Sequence, residues 1–259
     1  MPPAVLDGVL MDASEATIPV VDEGLLRGDG VFEVFPLYGG RPFGLDEHLA
    51  RMGRSAASLR LPLDLDALRD DVATLIAEAG PVDAAVRVLG TRGGRRIALL
   101  EPIKDLPETL RLATITYSPS RVLDGVKSLS YAANMLATRL ATEEGADQAL
   151  FVTPHGRVLE APTSSFFYVL DGRLHTPPLA ERILDSITRR MLFAVMEISE
   201  RVTTLDDLGS ITEAFLSSST HEVHPVSAID DVVLDPAPGP ITSEAAQRAR
   251  QHIEAALAR

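Results

Sequence analysis

The amino-acid sequence predicts an α+β fold that consists of two mixed α/β domains. Three observations lead to this prediction. Apolar residues follow a helical period in some segments and a strand period in others, and the two kinds of segment are interspersed along the whole chain. The strand-like segments are short and are joined by tight turns such as Gly39-Gly40 and His155-Gly156, which favours mostly antiparallel sheets. The length of 259 residues, 46% of them hydrophobic, is sufficient for one large core or two of medium size.

The first half begins with short strands and turns over residues 5–43. A helix is predicted over 45–59, because apolar side chains recur there at three- and four-residue spacing and Pro62 follows. A second helix is predicted to begin near Asp64 and to end at Gly80, a residue type that is common just after helices. Strands are predicted over 84–89, 96–100 and 109–117.

The stretch 117–125, Tyr-Ser-Pro-Ser-Arg-Val-Leu-Asp-Gly, is typical of a connector. We therefore predict an N-terminal α+β domain over 1–116 and a C-terminal domain over 126–259, in which Thr242 caps the last helix. The helices of the second domain are predicted over 130–144, 187–196 and 242–257, and its strands over 149–153, 157–160, 165–170, 173–176, 213–218 and 223–226.

The composition excludes several classes of protein. The net charge is −13 and the arginines are scattered, so the chain lacks the basic face that a nucleic-acid binder needs. No apolar run is long enough to span a bilayer, and the start Met1-Pro2-Pro3-Ala4 has none of the features of a signal peptide. The chain contains no cysteine, which excludes disulfides and a cysteine nucleophile. A cytoplasmic protein without membrane or nucleic-acid partners is expected.

One segment has the composition of a metal site. His221-Glu222-Val223-His224 is one residue short of the His-Glu-x-x-His spacing that places two histidines on one face of a helix. The segment also lies on a predicted strand, where that stacking of the two histidines is lost. We therefore expect no metal site.

Lys127 is one of only two lysines in the chain, the other being Lys104, against more than twenty arginines. It lies between a strand-like stretch and a predicted helix, with Val126 and Leu129 as apolar neighbours. A lysine amine in its neutral form is a nucleophile that forms an imine with an aldehyde. The alternative at this point is an ordinary solvated surface lysine.

Four further features indicate a ligand with a heteroaromatic ring and a phosphate. Glu160 ends a predicted strand, where its carboxylate could pair with a protonated ring nitrogen. Ser186-Ile187-Thr188 opens a helix whose backbone N–H groups and dipole favour an anion. The run 217–220 could add hydroxyl and amide donors, and Arg51, one turn from His48, could add a charge-assisted contact. Taken singly, each feature also has an ordinary explanation as a strand end, a helix cap or a surface charge.

Several segments match a known family in order and spacing. They include Gly-Asp-Gly-Val-Phe-Glu at 28–33, His-Leu-Ala-Arg at 48–51, and Lys-Ser-Leu-Ser-Tyr-Ala-Ala-Asn at 127–134. The other matching segments are 145–150, 156–160, 176–179, 187–189 and 217–226. Over nearly its whole length the chain resembles the class IV, or fold-type IV, enzymes that depend on pyridoxal 5′-phosphate (PLP). These include branched-chain and D-amino-acid aminotransferases, (R)-amine transaminases and aminodeoxychorismate lyase.

The resemblance implies a role for each site residue. Lys127 would form a Schiff base with PLP and then move a proton, in a ping-pong transfer of an amino group from an amino acid to a 2-oxo acid. Glu160 would bind the pyridine nitrogen, and Tyr131 would contact the phenolic oxygen of the cofactor. The phosphate would be held by Arg51, Ile187, Thr188, Ser219 and Thr220. A homodimer is also implied.

The residues that would face the substrate leave two activities open. Phe32 stands where the D-amino-acid enzymes carry a tyrosine, and Val34 stands where many of the lyases carry a threonine. Segment 127–134, however, is similar to that of some bacterial aminodeoxychorismate lyases, which release pyruvate to give 4-aminobenzoate. We predict a transaminase, with the lyase and a non-catalytic acidic scaffold as alternatives.

A loop rich in arginine could also take part in substrate binding. It supplies Arg92, Arg95 and Arg96, each of which could pair with a substrate carboxylate. An ordinary solvated hairpin turn explains each of these arginines equally well, so the pattern leaves both interpretations open.

Overall fold

The structure, a computed structural model, describes residues 2–258 and divides into two compact units. The first unit runs to Lys104 and also takes in Val126–Tyr131, and the second consists of Asp105–Gly125 and the chain from Ala132 onward. Each unit combines helices with a β-sheet, so the predicted α+β fold class is confirmed. No helix within residues 2–258 combines the length and the apolar character needed to cross a membrane.

The first unit contains a six-stranded antiparallel sheet in the order β2-β1-β6-β5-β3-β4. Its strands are β1 (Pro3–Leu6), β2 (Val9–Asp12), β3 (Gly30–Tyr38), β4 (Arg41–Pro42), β5 (Ala84–Thr91) and β6 (Arg96–Glu101). Its helices are α1 (Glu23–Arg27), α2 (Leu45–Ser58) and α3 (Leu65–Ala79).

Side chains alternate between the two faces of β3. Val31, Glu33 and Phe35 are fully buried and point to the face that α2 and α3 cover, where Val31 and Phe35 join the main apolar cluster of this unit. We call this the inner face of the sheet, and the opposite face, to which Phe32 and Val34 point, the outer face. The hydrophobic pattern of the strand therefore assigns consecutive residues to different environments.

The local signals for α3 are confirmed. The side chain of Asp64 accepts a hydrogen bond from the N–H of Ala67 at 2.9 Å, and Gly80 ends the helix with a positive φ of 67°. Asp64 fixes the start of the helix by accepting from a backbone N–H of the first turn, and Gly80 fixes its end because glycine adopts a positive φ without steric cost.

The predicted boundary at residue 116 differs from the division seen in the structure. The strand expected over 109–117 is present as β7 (Leu110–Thr116), but it belongs to the second unit. It lies between two parallel partners, the strands Gln148–Val152 and Glu222–Ile229, in the sheet of that unit. The turn-rich stretch 117–125 indicates a connector in the sequence. The unit to which β7 belongs is decided by its pairing with distant strands, which the sequence does not reveal.

The second unit contains a ten-stranded mixed sheet in the order β12-β11-β10-β14-β15-β7-β8-β9-β13, with β16 paired to β15. Besides β7, its strands are β8 (Gln148–Val152), β9 (Arg157–Val158), β10 (Ser165–Leu170), β11 (Arg173–Thr176), β12 (Ser199–Glu200), β13 (Thr203–Thr204), β14 (Glu213–Ser218), β15 (Glu222–Ile229) and β16 (Val232–Val233). Its helices are α4 (Ala132–Glu143), α5 (Ile187–Val195), α6 (Leu205–Leu208) and α7 (Pro240–Leu257).

The predicted cap of the last helix was wrong. Helix α7 begins at Pro240, with Gly239 as its N-cap, and Thr242 is a buried residue of the first turn. Proline suits the first position of a helix because its missing N–H has no partner there in any case. The buried carboxylate of Glu213 accepts hydrogen bonds from the N–H groups of Ile241 and Thr242, at 3.2 and 2.7 Å. A carboxylate from a distant strand therefore replaces the local cap.

Replacement of Glu213 by alanine is expected to destabilise the protein by about 1–3 kcal/mol, because it leaves two backbone N–H groups without acceptors. The measurement is the free energy of unfolding in urea. The matched control is Glu244→Ala in the same helix, which removes an exposed ion pair with Arg248 and is expected to cost less than about 1 kcal/mol. Equal losses from the two variants would contradict this account of the cap.

Candidate active site

The first unit carries Lys127 on a segment that extends its sheet. The carbonyl oxygen of Lys127 accepts a hydrogen bond from the N–H of Phe32 at 3.2 Å, and the N–H of Leu129 donates to the carbonyl of Gly30 at 2.9 Å. The N–H of Lys127 also donates to Oγ of Ser55 in α2, at 3.2 Å. The backbone around Lys127 is therefore fixed against both β3 and α2.

Gly30 permits this close approach. A Cβ atom at position 30 would lie 2.5 Å from the carbonyl oxygen of Gly90 and 2.5 Å from Cδ1 of Leu129. Any residue other than glycine would therefore push the Lys127 segment away from the strand. The glycine of this motif has a structural role in placing the lysine.

The amine of Lys127 lies on the outer face of the sheet, against two aromatic rings. Its Nζ atom is 4.5 Å from the ring centroid of Phe32 and 5.9 Å from that of Tyr131. The two rings meet edge to face with their centroids 5.1 Å apart. An ammonium over an aromatic face is attracted by the ring quadrupole, so the rings hold the amine in a defined place. Three residues predicted from the sequence are thus brought together.

Arg87, which the sequence alone does not distinguish from the other arginines, also lies on the outer face. Its Cζ atom is 5.6 Å from the ring centroid of Phe32, and its Nε atom donates to Glu101 at 2.7 Å. Arg87 pairs directly with Val34, two residues from Phe32 in β3, and paired side chains point to the same face of a sheet. The strand pairing therefore places Arg87 near Phe32. Without the strand pairing, Arg87 was one arginine among many.

Arg51, predicted from the sequence as a phosphate ligand, lies on the inner side of the sheet in a buried cluster with Glu33 and His48. Its Nε and Nη2 atoms donate to the two carboxylate oxygens of Glu33, both at 2.7 Å. Nδ1 of His48 lies 2.7 Å from Oε2 of Glu33. All three side chains are nearly or fully buried. We call this group the Glu33 cluster.

The charges of the cluster follow from its burial and its hydrogen bonds. Burial would raise the pKa of Glu33, but hydrogen bonds from Arg51 and His48 outweigh it and bring the pKa to about 2. Burial lowers the pKa of His48 against the opposing effect of Glu33, so its ring is neutral at pH 7. Because an ionised carboxylate can only accept, Nδ1 of the neutral ring carries the proton and donates it to Glu33.

The lowered pKa of His48 predicts a pH-dependent loss of stability. Below the ordinary pKa of 6.5, the unfolded ring takes up a proton more readily than the folded ring, so the free energy of unfolding decreases as the pH is lowered. Wild type should therefore lose free energy of unfolding faster than His48→Gln as the pH is lowered below 6.5, by at most about 1.4 kcal/mol per pH unit. Urea unfolding across this range measures the difference, and parallel pH profiles for the two proteins would contradict the prediction.

In the second unit, Glu160 follows β9 and is held by the backbone. One of its carboxylate oxygens accepts a hydrogen bond from the N–H of Leu184 at 2.8 Å, and its own carbonyl accepts from the N–H of Phe151 at 2.9 Å. Tyr117 stacks on Phe151 with ring centroids 4.1 Å apart, and burial and the charge of Glu160 raise the pKa of Tyr117. The carboxylate therefore has a fixed position beside an aromatic pair.

The N-terminus of α5 offers donors for an anion. Oγ of Ser186 caps the helix by accepting from the N–H of Arg189 at 3.0 Å. Among residues 2–258, no acceptor receives the N–H groups of Ile187 and Thr188, and the Thr188 side chain is buried. The helix dipole adds partial positive charge at the same place.

A row of serine hydroxyls leads from the sheet to this helix start. Oγ of Ser165 in β10 lies 2.9 Å from Oγ of Ser186, and Ser165 pairs directly with Ser217 of β14, so both side chains point to the same face. Oγ of Ser217 is fully buried and has no hydrogen-bond partner among residues 2–258. A buried hydroxyl without a partner is costly, so this one is suited to a ligand.

The predicted phosphate ligands Ser219 and Thr220 lie in the turn between β14 and β15. Oγ1 of Thr220 is 3.0 Å from Nδ1 of His221, and Oγ of Ser218 accepts from the N–H of His221 at 3.3 Å. The sequence predicts the polar run as a set of donors but does not distinguish Ser217, because the burial of its hydroxyl depends on the strand pairing. Together with α5, these donors fit a phosphate group.

The three arginines predicted as substrate contacts, two in the loop between β5 and β6 and Arg96 at the start of β6, pair with carboxylates of the first unit. Nε and Nη2 of Arg92 donate to Asp29 at 2.7 and 3.2 Å, and its terminal nitrogens also donate to the carbonyls of Arg60 and Leu59. Nη1 of Arg95 contacts Asp7 at 2.6 Å, and Nε of Arg96 contacts Asp71 at 3.0 Å. The substrate role of these arginines stays a prediction, and it would require each to exchange an existing partner.

No group of three histidine, aspartate or glutamate side chains within residues 2–258 is arranged to hold a metal ion. His221 and His224, from the segment that resembled a zinc motif, have ring centroids 6.1 Å apart, and Nε2 of His224 lies 2.7 Å from the carbonyl oxygen of Pro107. His224 lies on β15, as the predicted strand requires.

Comparisons with known proteins identify the family. Residues 30–229 match the family described as amino-transferase class IV. A Methanocaldococcus jannaschii protein with the provisional name branched-chain-amino-acid aminotransferase is 33% identical over 256 residues, covering 89% of this chain and 88% of that protein. D-alanine aminotransferase of Bacillus licheniformis is 30% identical, covering 92% of each chain.

A solved structure agrees with these relatives. The PLP-bound form of a hypothetical aminotransferase from Mycobacterium tuberculosis superimposes with a TM-score of 0.89 and 26% identity, covering 98% of this chain and 99% of that one. The matched range of the family includes Lys127 and Glu160. The chain therefore belongs to the class IV aminotransferases, which use PLP to transfer amino groups.

Proposed function

We propose that Lys127 is the residue that binds PLP covalently and moves the proton during transfer of an amino group from an amino acid to a 2-oxo acid. The observation that carries this proposal is the placement of its amine, which rests against Phe32 and Tyr131 on a backbone fixed to β3 and α2. When bound, PLP supplies an electron sink that makes the Cα–H bond of an amino acid acidic. The protein must supply a base, a partner for the ring nitrogen and a phosphate site.

The other site residues take complementary roles in this proposal. Glu160, held by the N–H of Leu184, keeps the ring nitrogen protonated. Arg51, Ser219 and Thr220 bind the phosphate together with the N–H groups of Ile187 and Thr188. The structure adds Ser217 to this set, on the strength of its buried hydroxyl. Tyr131 contacts the phenolic oxygen.

The substrates are proposed by analogy with the relatives. Those relatives are named for branched-chain amino acids and D-alanine, and the Mycobacterium tuberculosis protein was also solved with α-ketoglutarate and pyridoxamine phosphate. We therefore propose amino-acid donors and 2-oxo acid acceptors in a ping-pong cycle, in which Lys127 serves both half-reactions.

A cytoplasmic homodimer is part of the same proposal. Val20, Val21, Leu25 and Leu26 are each more than half exposed, and such a concentration of apolar side chains is typical of a surface that associates. A second copy of the chain is the proposed partner. Light scattering of the purified protein tests it, and a monomer at micromolar concentration would contradict it.

The absorption spectrum of the purified protein tests the catalytic proposal. We expect a visible band after addition of PLP, and we expect at least one amino acid from a panel of L- and D-isomers to bleach it. A later addition of α-ketoglutarate or pyruvate should restore the band. A band that no amino acid changes would contradict amino-acid transamination, and it would favour the lyase reaction. The absence of any band with PLP present would contradict the role of Lys127.

A further inference from the structure

The hydrogen bonds of the Glu33 cluster neutralise a buried charge and also fix the orientation of the Arg51 guanidinium. Glu33 engages Arg51 at two atoms, Nε and Nη2, with both distances at 2.7 Å. A guanidinium bonded at two adjacent nitrogens cannot rotate about its Cδ–Nε bond, so the direction of its third nitrogen, Nη1, is also fixed. A single ion-pair contact would leave that direction open.

His48 fixes the carboxylate in turn. It lies one helical turn before Arg51 in α2 and approaches Oε2 of Glu33 through Nδ1 at 2.7 Å. The carboxylate of Glu33 therefore receives three donors, two from Arg51 and one from His48, and it is completely buried on β3. The two residues that supply these donors lie on one face of a single helix, so the cluster is preorganised by secondary structure.

The net charge of the cluster explains why orientation matters. Glu33 is ionised and His48 is neutral, so the charge of Arg51 is already balanced within the cluster. Attraction of a phosphate by net charge alone would be weak here. Binding must then depend on N–H donors that point in the correct direction, and Glu33 controls that direction.

We propose that Glu33, with support from His48, is a positioning residue that orients Arg51 to bind the phosphate of the cofactor. This inference rests on the phosphate role of Arg51 in the proposed function, which the variant Arg51→Gln tests separately. Glu33 itself is not proposed to touch the cofactor. It acts through the two hydrogen bonds to Arg51.

The test compares the binding of PLP and of pyridoxal, which has the same aldehyde and ring but no phosphate. Dissociation constants of both ligands are measured by absorbance titration of the cofactor-free protein, and their ratio isolates the phosphate contribution. Glu33→Gln keeps the size of the side chain but presents an amide NH₂ to one of the donors of Arg51. We expect this variant to lower the preference for PLP over pyridoxal about 10-fold or more, with little change in the affinity for pyridoxal.

The matched control is Asp71→Asn, which disrupts another buried carboxylate–arginine pair of the same unit, with Arg96. It should leave the preference for PLP unchanged. If Glu33→Gln weakens both ligands by the same factor, Glu33 only maintains the fold and the inference is overturned. If that variant does not fold, Glu33→Asp and His48→Gln replace it, with a smaller loss of the same preference expected.

Arg51→Gln separates this inference from the proposed function. A loss of PLP preference of about 10- to 100-fold in Arg51→Gln supports the phosphate role of Arg51. If Arg51→Gln shows that loss and the Glu33 variants do not, the positioning role is overturned while the proposed function stands. If Arg51→Gln leaves the preference unchanged, the phosphate role of Arg51 is itself contradicted, and the inference is overturned with it.

Discussion

Replacement of Lys127 by arginine is expected to abolish the visible absorption band with PLP and to reduce transamination by about 10²–10⁴-fold from lost proton transfer alone. Arginine keeps the positive charge and can still lie against Phe32 and Tyr131, but its guanidinium stays protonated and is a poor nucleophile. The rate is measured in a single turnover with one amino acid. The spectrum reports cofactor attachment independently of the rate.

Lys104 provides a matched control, because it is the only other lysine in the chain. Lys104→Arg should retain the band and the rate of the wild-type protein. Reduction with borohydride in the presence of PLP, followed by peptide mass analysis, should label a peptide containing Lys127 in both the wild type and Lys104→Arg. Label on Lys104, or an active Lys127→Arg variant, would contradict the assignment.

Replacement of Glu160 by glutamine is expected to slow the reaction of bound PLP with an amino acid by about 10²–10³-fold. The side-chain oxygen of glutamine can still accept from the N–H of Leu184, so the local structure is preserved. The charge that would keep the ring nitrogen protonated is lost, and the ring becomes a weaker electron sink. Stopped-flow absorbance with excess amino acid measures the rate for each bound cofactor.

Glu144→Gln, a change of the same kind at an exposed position of the second unit, should have no effect on this rate. The discriminating outcome is a Glu160→Gln protein that binds less PLP but reacts at the wild-type rate for each bound molecule. Glu160 would then serve only to fix the backbone at Leu184, and its chemical role would be wrong.

The features that could be predicted from the sequence are those set by local physics. Helix α3 was bounded correctly because Asp64 and Gly80 satisfy its ends through nearby backbone atoms. The strand pattern around Phe32 and the shortage of lysine that singled out Lys127 are likewise properties of the sequence alone. Lys127 is therefore predicted from the composition, whereas Phe32 and Tyr131 are predicted only through the resemblance to the class IV enzymes.

The features that could not be predicted depend on partners far away in the chain. Strand β7 lies in the second unit because its hydrogen-bonding partners follow it by dozens of residues. The carboxylate partner of Arg95, Asp7, lies 88 residues from it, which no spacing rule connects. The burial of the Ser217 hydroxyl becomes visible only when β14 is set beside β10. Local signals fix the elements, whereas pairing decides which side chains meet.

The alternation of β3 has a consequence for any attempt to alter this enzyme. Phe32 and Glu33 are consecutive, yet one holds the lysine amine on the outer face and the other holds Arg51 on the inner face. A slip of the strand by one residue would exchange them, placing a carboxylate beside the amine and a ring beside the guanidinium. Insertions or deletions between Gly28 and Phe35 should therefore be far more damaging than substitutions. In this strand, the number of residues affects the chemistry of the site as much as their identity does.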